Sequence, residues 1–178
     1  MGSADIIMKQ IGVIHTAFKD VSDNIPIQGR LHPGVEGYIE LMDAYCDASR
    51  DLEGFSHIFL LYHLHVSNEE RTITKPYMDT EQRGVFSTRS PHRPNHIGLS
   101  FVKLVSVKSG RLVVCDVDMV DGTPLLDIKP YNPRFDAPSK DDAVRTGWME
   151  FISTGNTDKA TTKTRSHEEW LQRPGKGR

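Results

Sequence analysis

The sequence predicts an all-β, or mainly β, domain that closes as a barrel or a sandwich. Seven or eight short stretches are rich in β-branched and aromatic residues, and Gly, Pro, Asn and Asp separate them. Only one stretch has the spacing of a short helix. The chain lacks the strand–helix alternation and the GxGxxG motif of a doubly wound nucleotide-binding sheet, so that fold is not expected.

The predicted elements follow one another along the chain with turn residues between them. The predicted strands are 6–18, 35–41, 55–66, 84–88, 99–107, 111–120 and 125–131. Residues 43–52 form the predicted helix, because Ala44, Ala48 and Leu52 recur every four residues, with Asp43 as its cap and Gly54 at its end. Lys108, Ser109 and Gly110 predict a hairpin turn. We expect a mobile loop at 69–83 and irregular chain at 90–98, where two prolines occur.

The predicted strand 55–66 is apolar on one face and carries histidines on the other. Its even positions include Ile58, Leu60 and Tyr62, whereas its odd positions include three histidines, His57, His63 and His65. Three imidazoles can hold zinc, but His57 and His63 lie about 20 Å apart along a strand. One ion cannot reach both, so we expect no metal site unless another histidine contributes, and we assign these histidines to the core or to a cavity. The histidines that could contribute are His15, His32, His92 and His96.

In the predicted strand 111–120 the odd positions are apolar and two even positions are acidic. The expected buried face comprises Val113, Cys115, Val117 and Met119. Asp116 and Asp118 then project from the opposite face, since side chains alternate along a strand.

The chain divides by composition into a barrel domain, residues 6–136, and a polar extension, residues 137–178. The extension carries few apolar anchors, so we expect it to be poorly structured. Those anchors are Val144, Trp148, Phe151 and Trp170. Residues 1–5 are left out of the fold prediction.

The composition excludes several classes of protein. The chain has 178 residues, 37% hydrophobic and 26% charged, and a formal net charge of −2. These values argue against wholesale disorder and against a basic coat for nucleic acid over the whole surface. Two cysteines, Cys46 and Cys115, without metal-ligand spacing argue against a disulfide scaffold or a structural zinc site. No secretory signal or membrane span is predicted, so we expect a cytoplasmic protein.

Two segments concentrate polar groups that suit a ligand. Residues 83–100, RGVFSTRSPHRPNHIGLS, place three arginines and many hydroxyls around two prolines, which suits an anionic or carboxylate-bearing ligand. Residues 117–131 offer Asp118, Asp121, Asp127, Lys129 and Tyr131, and a carboxylate can hold both hydroxyls of a ribose. The alternatives are a solvated surface loop for the first segment and a simple hairpin for the second.

Basic residues are in local excess in two places. Residues 71–96 hold five Arg or Lys against two acidic residues that lie near the middle of that stretch, Asp79 and Glu81. This excess fits phosphate contacts on one face of a slightly acidic protein. The basic residues after Thr157 are assigned to a disordered tail.

Four sequence strings together resemble the TsaA-like family of tRNA methyltransferases. They are IGVIHT, GFSHIFLLYHLH, RGVFSTRSPHRPNHIGLS and DMVDGTPLLDIKPY, and the likeness spans residues 9–136. The resemblance implies a small β-barrel, a homodimer and methylation by S-adenosylmethionine. The implied substrate is N6 of threonylcarbamoyl-adenosine 37, in the anticodon loop of tRNA.

The resemblance also implies which residues form the site. The positions matched to cofactor binding are Gln28, His65, Arg89, Leu99, Asp118 and Met119. The positions matched to catalysis and to the adenosine with its N6 substituent are Arg93, Asn95, Lys129 and Tyr131. No metal is implied.

The chain departs from the family at two positions. The family usually reads RPNPIG where this chain has RPNHIG, so His96 stands in place of a proline. The early loop usually reads PRQ, and here Ile27 replaces the arginine. These departures keep open a regulatory module that binds S-adenosylmethionine without catalysis. Two other functions also stay open: a methyltransferase of a small metabolite and a metal-dependent hydrolase that uses the histidines.

Overall fold

The computed structural model describes residues 6–151, and the chain divides into two compact units. The first contains residues up to 67 together with 96–136, and the second contains residues 68–95 together with the chain after 136. The predicted anchor Trp170 and the basic residues after Thr157 lie outside the described residues. The boundary expected at residue 136 stays a prediction.

Eight strands are formed by the described residues. They are β1 Gly12–His15, β2 Glu36–Leu41, β3 His57–His63, β4 Ile73–Thr74, β5 Arg83–Gly84, β6 Ile97–Lys108, β7 Arg111–Cys115 and β8 Thr123–Pro130. The helices are short: five 3-10 helices, Gly29–Leu31, Asp43–Ser49, Leu52–Gly54, Val85–Ser87 and Gly147–Phe151, and one α-helix, α1, Pro133–Asp136. No helix among residues 6–151 has the length and apolar character needed to cross a bilayer.

The first unit is a closed antiparallel barrel, which confirms the predicted fold class. Its strands follow the order β1-β2-β7-β6-β3-β8, and β8 pairs back onto β1. Closure pairs both edges of every barrel strand, so no strand edge is left to recruit another chain.

Alternation along the strands fills the barrel interior. Ile58, Leu60 and Tyr62 of β3 are buried, as predicted, together with Ile14 and Ile39 on neighbouring strands. The alternation fails at the end of the predicted strand 55–66, because β3 stops at His63. Val66 is consequently half exposed rather than part of the core.

The predicted buried face of 111–120 is wrong at Val113 and Cys115, because the chain changes phase at Asp116. Leu112 and Val114 are fully buried in β7, instead of Val113 and Cys115. Asp116 then adopts a φ of 69°, in the left-handed region, and ends the alternation. Past this residue the odd positions become the inner ones, so the side chains of Val117 and Met119 are buried as predicted.

Several predicted boundaries are too long. Only Gly12–His15 of the predicted strand 6–18 pairs with neighbours, and Ile6 and Ile7 are exposed. The predicted helix 43–52 is a pair of 3-10 helices, separated where Asp51 takes a φ of 67°. Gly54 belongs to the second of them rather than following it.

The predicted hairpin between β6 and β7 is confirmed. Ser109 and Gly110 have φ values of 48° and 78°, as a two-residue hairpin turn requires. A Cβ on Gly110 would lie 2.4 Å from the Sγ of Cys46, so a side chain is also excluded sterically.

The second unit is built around a small sheet and one buried ion pair. β4 pairs with β5, so the segment 69–83 is not entirely a loop. The predicted strand 84–88 is wrong, because Val85–Ser87 is a 3-10 turn closed by the bond from Thr88 N to Val85 O. The irregular chain after Ser90 is confirmed up to His96.

Trp148 anchors the described part of the extension within the second unit. Its side chain is buried, and its Nε1 donates to Ser87 O at 2.8 Å. Its ring lies 5.7 Å from the guanidinium carbon of Arg83, which pairs with Asp79 at 2.6 Å. Of the other predicted anchors, Val144 is exposed, and the side chain of Phe151 lies outside what the structure describes.

Candidate functional site

A half-buried carboxylate, Asp118, is held by a short network of hydrogen bonds in the first unit. The hydroxyl of Ser100 donates to Asp118 Oδ1, and Tyr62 Oη lies 2.9 Å from that same hydroxyl. The backbone N–H of Gly29 donates to Asp118 Oδ2 at 3.0 Å. Because donors from different elements hold both oxygens, the carboxylate has one orientation.

Glycine is required at position 29 for this contact. A Cβ there would lie 1.7 Å from the carbonyl oxygen of Asp116, which is backbone and cannot swing away. The same loop is tied down again where Gly34 N donates to Asp116 Oδ1 at 2.8 Å. The loop that carries Gln28 therefore packs directly on the segment that carries Asp118.

A second glycine lets Tyr62 reach Ser100. Gly98 faces Tyr62 across the β3–β6 pair, and a Cβ at Gly98 would lie 2.1 Å from the tyrosine ring. Side chains in packed interiors rarely move far enough to relieve such a contact, so the Tyr62 ring can occupy this position only when residue 98 is glycine. The network Tyr62–Ser100–Asp118–Gly29 is thus built from two strands and two loops.

His65 presents a buried polar atom near the end of β3. Its Nδ1 is buried and has no hydrogen-bond partner among the described residues. Buried polar atoms in folded proteins are normally paired, so this atom suits a polar group of a ligand or an ordered water. A fixed carboxylate and a buried imidazole are each groups that can hold the hydroxyls and amines of a ligand.

The other predicted cofactor residues of the first unit occupy different environments. Gln28 is half-buried and precedes the Gly29–Leu31 turn, with its Nε2 donating to Ile27 O at 2.7 Å. Met119 is packed in the barrel core, where its backbone carbonyl accepts from Thr16 Oγ1. Leu99 is 46% exposed, because its position in β6 points outward.

Lys129 and Tyr131 lie on the outer surface of the barrel. Lys129 is opposite Phe59 in the β3–β8 register, and its Nζ pairs with Asp127 at 2.9 Å. Tyr131 packs edge-on against Phe101, with ring centroids 4.7 Å apart. Ser100, in contrast, points into the interior, so these two residues and the Asp118 network occupy opposite sides of the barrel wall.

The remaining predicted residues, Arg89, Arg93 and Asn95, belong to the second unit. Arg89 and Asn95 are exposed. Arg93 is half-buried, and its Nη1 donates to the carbonyls of Thr88 and Ser90 at 3.2 Å each. This arginine therefore cross-links the loop that contains it.

His96 has a backbone conformation that a proline cannot adopt. Its φ is 46°, whereas the proline ring fixes φ near −65°. Its carbonyl accepts from Leu64 N at 2.7 Å, and its ring stacks on His63 at a centroid distance of 6.3 Å. The departure noted in the sequence thus changes the local backbone, not only the side chain.

Asp121 and Cys115 are among the groups outside this network whose pKa values are shifted. The hydrogen bond from Lys19 lowers the pKa of Asp121, which also accepts from Thr16 N. Burial raises the pKa of the Cys115 thiol. Within residues 6–151, no three His, Cys, Asp or Glu side chains are grouped so that they could hold a metal ion.

The family model described as the tRNA-methyltransferase O N-terminal domain matches residues 13–137. The chain belongs to this family. The match contains the whole barrel after its first residue, the loop 68–95 and every residue of the Asp118 network.

Relatives of this family are found in archaea and in animals. The chain is 46% identical over 145 residues to a probable S-adenosyl-L-methionine-binding protein of Pyrococcus abyssi, covering 82% of this chain and 77% of that protein. It is 41% identical to an S-adenosyl-L-methionine-binding protein of Archaeoglobus fulgidus, covering 74% and 93%. It is 48% identical over 90 residues to the tRNA (adenine(37)-N6)-methyltransferase of Mus musculus, covering 49% and 21%.

Solved structures of the tRNA-methyltransferase O family share this fold. A crystal structure of TrmO superposes with a TM-score of 0.66 at 37% identity, covering 79% of this chain and 64% of that one. TrmO from Pseudomonas aeruginosa superposes with a TM-score of 0.65 at 35% identity, covering 81% and 62%. The chain thus spans less than two thirds of the length of either TrmO chain.

The sequence prediction missed most partners of Asp118. Ser100 carried no signal, because the odd positions of 99–107 are more apolar than the even ones, yet the structure buries Ser100, Val102 and Leu104. Gly29 carried none, since its role depends on the approach of Asp116, which is distant in sequence. Arg30, whose guanidinium carbon lies 5.2 Å from the Phe101 ring centroid, also gave no signal.

Proposed function

We propose that this protein is an S-adenosylmethionine-dependent methyltransferase that acts on N6 of adenosine 37 in tRNA. Family membership over residues 13–137 carries the proposal, and the names of the archaeal and mouse relatives support it. We extend it to threonylcarbamoyl-adenosine as substrate, a homodimer as the active form and the cytoplasm as its location. These three follow from the resemblance of the motifs.

In this proposal the Asp118 network and His65 hold the cofactor. Asp118 is preorganised by Ser100 and Gly29, so a ligand hydroxyl meets an acceptor that needs no rearrangement. His65 Nδ1 gains a partner when a ligand is present. Gln28, Leu99, Met119 and Arg89 complete the proposed cofactor set. S-adenosylmethionine supplies an electrophilic methyl group when bound.

Four further residues are assigned to the acceptor nucleoside. The lone pair of an adenine N6 is delocalised, so the nitrogen must be held close and correctly oriented. The side-chain oxygen of Asn95 accepts an N6 hydrogen bond, which increases lone-pair density on that nitrogen. Arg93 and Lys129 bind the carboxylate of the N6 substituent, and Tyr131 orients the base. The target base must leave the stack of the anticodon loop, at a cost of a few kcal/mol.

Calorimetric titration with S-adenosylmethionine tests the cofactor assignment. Asp118→Asn keeps the shape but removes the charge, so we expect affinity to fall about tenfold or more. Asp47→Asn is the matched control, because that carboxylate is 99% exposed and pairs only loosely with Arg50. Equal affinities for the two variants would remove Asp118 from the site.

Nucleoside mass analysis of tRNA tests the reaction. The protein is incubated with S-adenosylmethionine and tRNA from a strain lacking the modification, and the digested nucleosides are compared with and without enzyme. Asn95→Ala should lose methylation while its titration with S-adenosylmethionine stays normal. Turnover at the wild-type rate would contradict the role given to Asn95.

A module that binds S-adenosylmethionine without catalysis is the second candidate. Two observations favour it: the archaeal relatives are named only as binding proteins, and His96 has a φ that the family proline cannot adopt. A single-turnover reaction with excess protein over tRNA separates the two functions. Cofactor binding with no methylated nucleoside would support the second.

A further inference from the structure

We propose that an aromatic cluster on the outer face of the barrel binds unpaired bases of RNA. The cluster, called here the aromatic platform, consists of His57, Phe59, Phe101 and Tyr131 with Arg30. This inference rests on the proposed function, because the platform supplies a docking surface for the tRNA substrate.

Strand register brings the four rings together. Phe59 and Phe101 face each other across the β3–β6 pair, with ring centroids 5.2 Å apart. His57 stacks on Phe101 at 5.0 Å with an interplanar angle of 10°. Tyr131 follows β8, where its N–H donates to His57 O, and its ring meets Phe101 and Phe59 edge-on. All four side chains are half-buried, so the rings are fixed in place and partly open to solvent.

The charge at the platform suits a polyanion. Arg30 is exposed and lies over Phe101, and the exposed Lys103 stands opposite His57 in the strand register. The structure records no ion pair for either cation among residues 6–151. Aromatic rings that stack bases, beside cations that meet phosphates, are the usual means of binding single-stranded nucleic acid.

A second cluster on the barrel has the same components but a different charge. Arg111 lies 3.8 Å from the Tyr38 ring centroid, and His15 stacks on that ring at 4.7 Å. There, however, Glu40 pairs with both Arg111 and His15. Because its arginine has a carboxylate partner, this cluster serves as a control surface within the same fold.

The platform lies next to the candidate cofactor residues. Gly29 donates to Asp118, and the next residue, Arg30, covers Phe101. Ser100 and Phe101 are likewise consecutive in β6, one inside the wall and one outside. The Gly29–Leu31 segment and β6 therefore each carry one residue of the platform beside one partner of Asp118, on opposite sides of the barrel wall.

RNA fits this face better than a second copy of the chain does. If two copies met on this face, Arg30 and Lys103 of each copy would either approach the equivalent cations of the other copy or be buried in the contact. Burying unpaired charges is costly, whereas phosphates neutralise them.

Fluorescence anisotropy with a labelled anticodon stem-loop RNA tests the platform. Phe101→Leu, which keeps an apolar side chain, should weaken RNA binding roughly tenfold. Arg30→Gln changes an exposed residue and keeps the fold, and it should also lower the slope of log K against log salt by about 1. The control Arg111→Gln should bind RNA as the wild type does.

Each result decides one part of the proposal. Wild-type RNA affinity in both platform variants overturns it, as does an equal loss in Arg111→Gln. A change of oligomeric state in sedimentation, with RNA affinity retained, would assign the face to a second copy instead. Titration with S-adenosylmethionine is run in parallel: platform-dependent RNA binding without cofactor binding by the wild type would overturn the proposed function alone.

Discussion

Replacing Gly29 by alanine should disturb both stability and cofactor binding. The new Cβ would lie 1.7 Å from Asp116 O, and ordinary contact begins near 3.4 Å, so the loop must retreat by nearly 2 Å. The bond from Gly29 N to Asp118 Oδ2, now 3.0 Å, cannot survive that movement.

The magnitude follows from two contributions. Overpacking typically costs about 1–3 kcal/mol. The loss of a hydrogen bond to a charged group adds about 1.5–3 kcal/mol. We therefore expect the free energy of unfolding to fall by about 2.5–6 kcal/mol, a large share of the total for a domain of this size.

Urea unfolding and calorimetry with S-adenosylmethionine measure the two effects. Gly54→Ala is the matched control, because no atom lies within 4 Å of its added Cβ. It should change the free energy of unfolding by less than about 1 kcal/mol. If Gly29→Ala and Gly54→Ala unfold at the same urea concentration, the close approach to Asp116 is refuted.

Three further perturbations test other parts of the molecule. His96→Pro should destabilise by at least about 2 kcal/mol in urea unfolding, because φ of 46° is closed to proline, whereas His96→Gly should be neutral or stabilising. Trp148→Phe loses the bond to Ser87 O and should speed amide exchange in the 85–88 turn; unchanged exchange would show that Trp148 does not anchor it. The ionised Asp121 side chain contributes its full stabilisation at pH values above 3.8, its ordinary pKa. This stabilisation is lost as the pH falls through the lowered pKa that Asp121 has in the folded protein. The difference in unfolding free energy between wild type and Lys19→Met should therefore shrink in acid, and a constant difference would contradict that pairing.

Local patterns predicted the barrel strands well where both strand faces are set by alternation. The even positions of β3 and the hairpin at Ser109 and Gly110 followed directly from the sequence. The phase change at Asp116 did not, because its left-handed conformation depends on packing against the loop at Gly29 and Gly34.

The site was predictable in its residue types but not in its connections. Asp118 stood out as an acidic residue within an apolar segment, yet its partners come from residues 29 and 100, which only the fold brings together. Strand 84–88 failed because hydroxyl side chains of a Ser/Thr-rich segment bond the nearby backbone, which favours a turn.

The left-handed conformation of Asp116 lets one segment meet two requirements. It buries the apolar side chains at 117 and 119, and it keeps the carboxylate at 118 only half-buried. If the alternation continued, the side chains at 116 and 118 would point into the barrel as those of Leu112 and Val114 do. Two carboxylates would then be buried in the apolar core. The reversed phase places Val117 and Met119 in the core and leaves Asp118 half-buried, where it accepts from Gly29 N. A β-branched residue at 116 would therefore disturb both the packing of Val117 and Met119 and the position of Asp118, so this position can vary only among residues that tolerate positive φ, chiefly Gly, Asn and Asp.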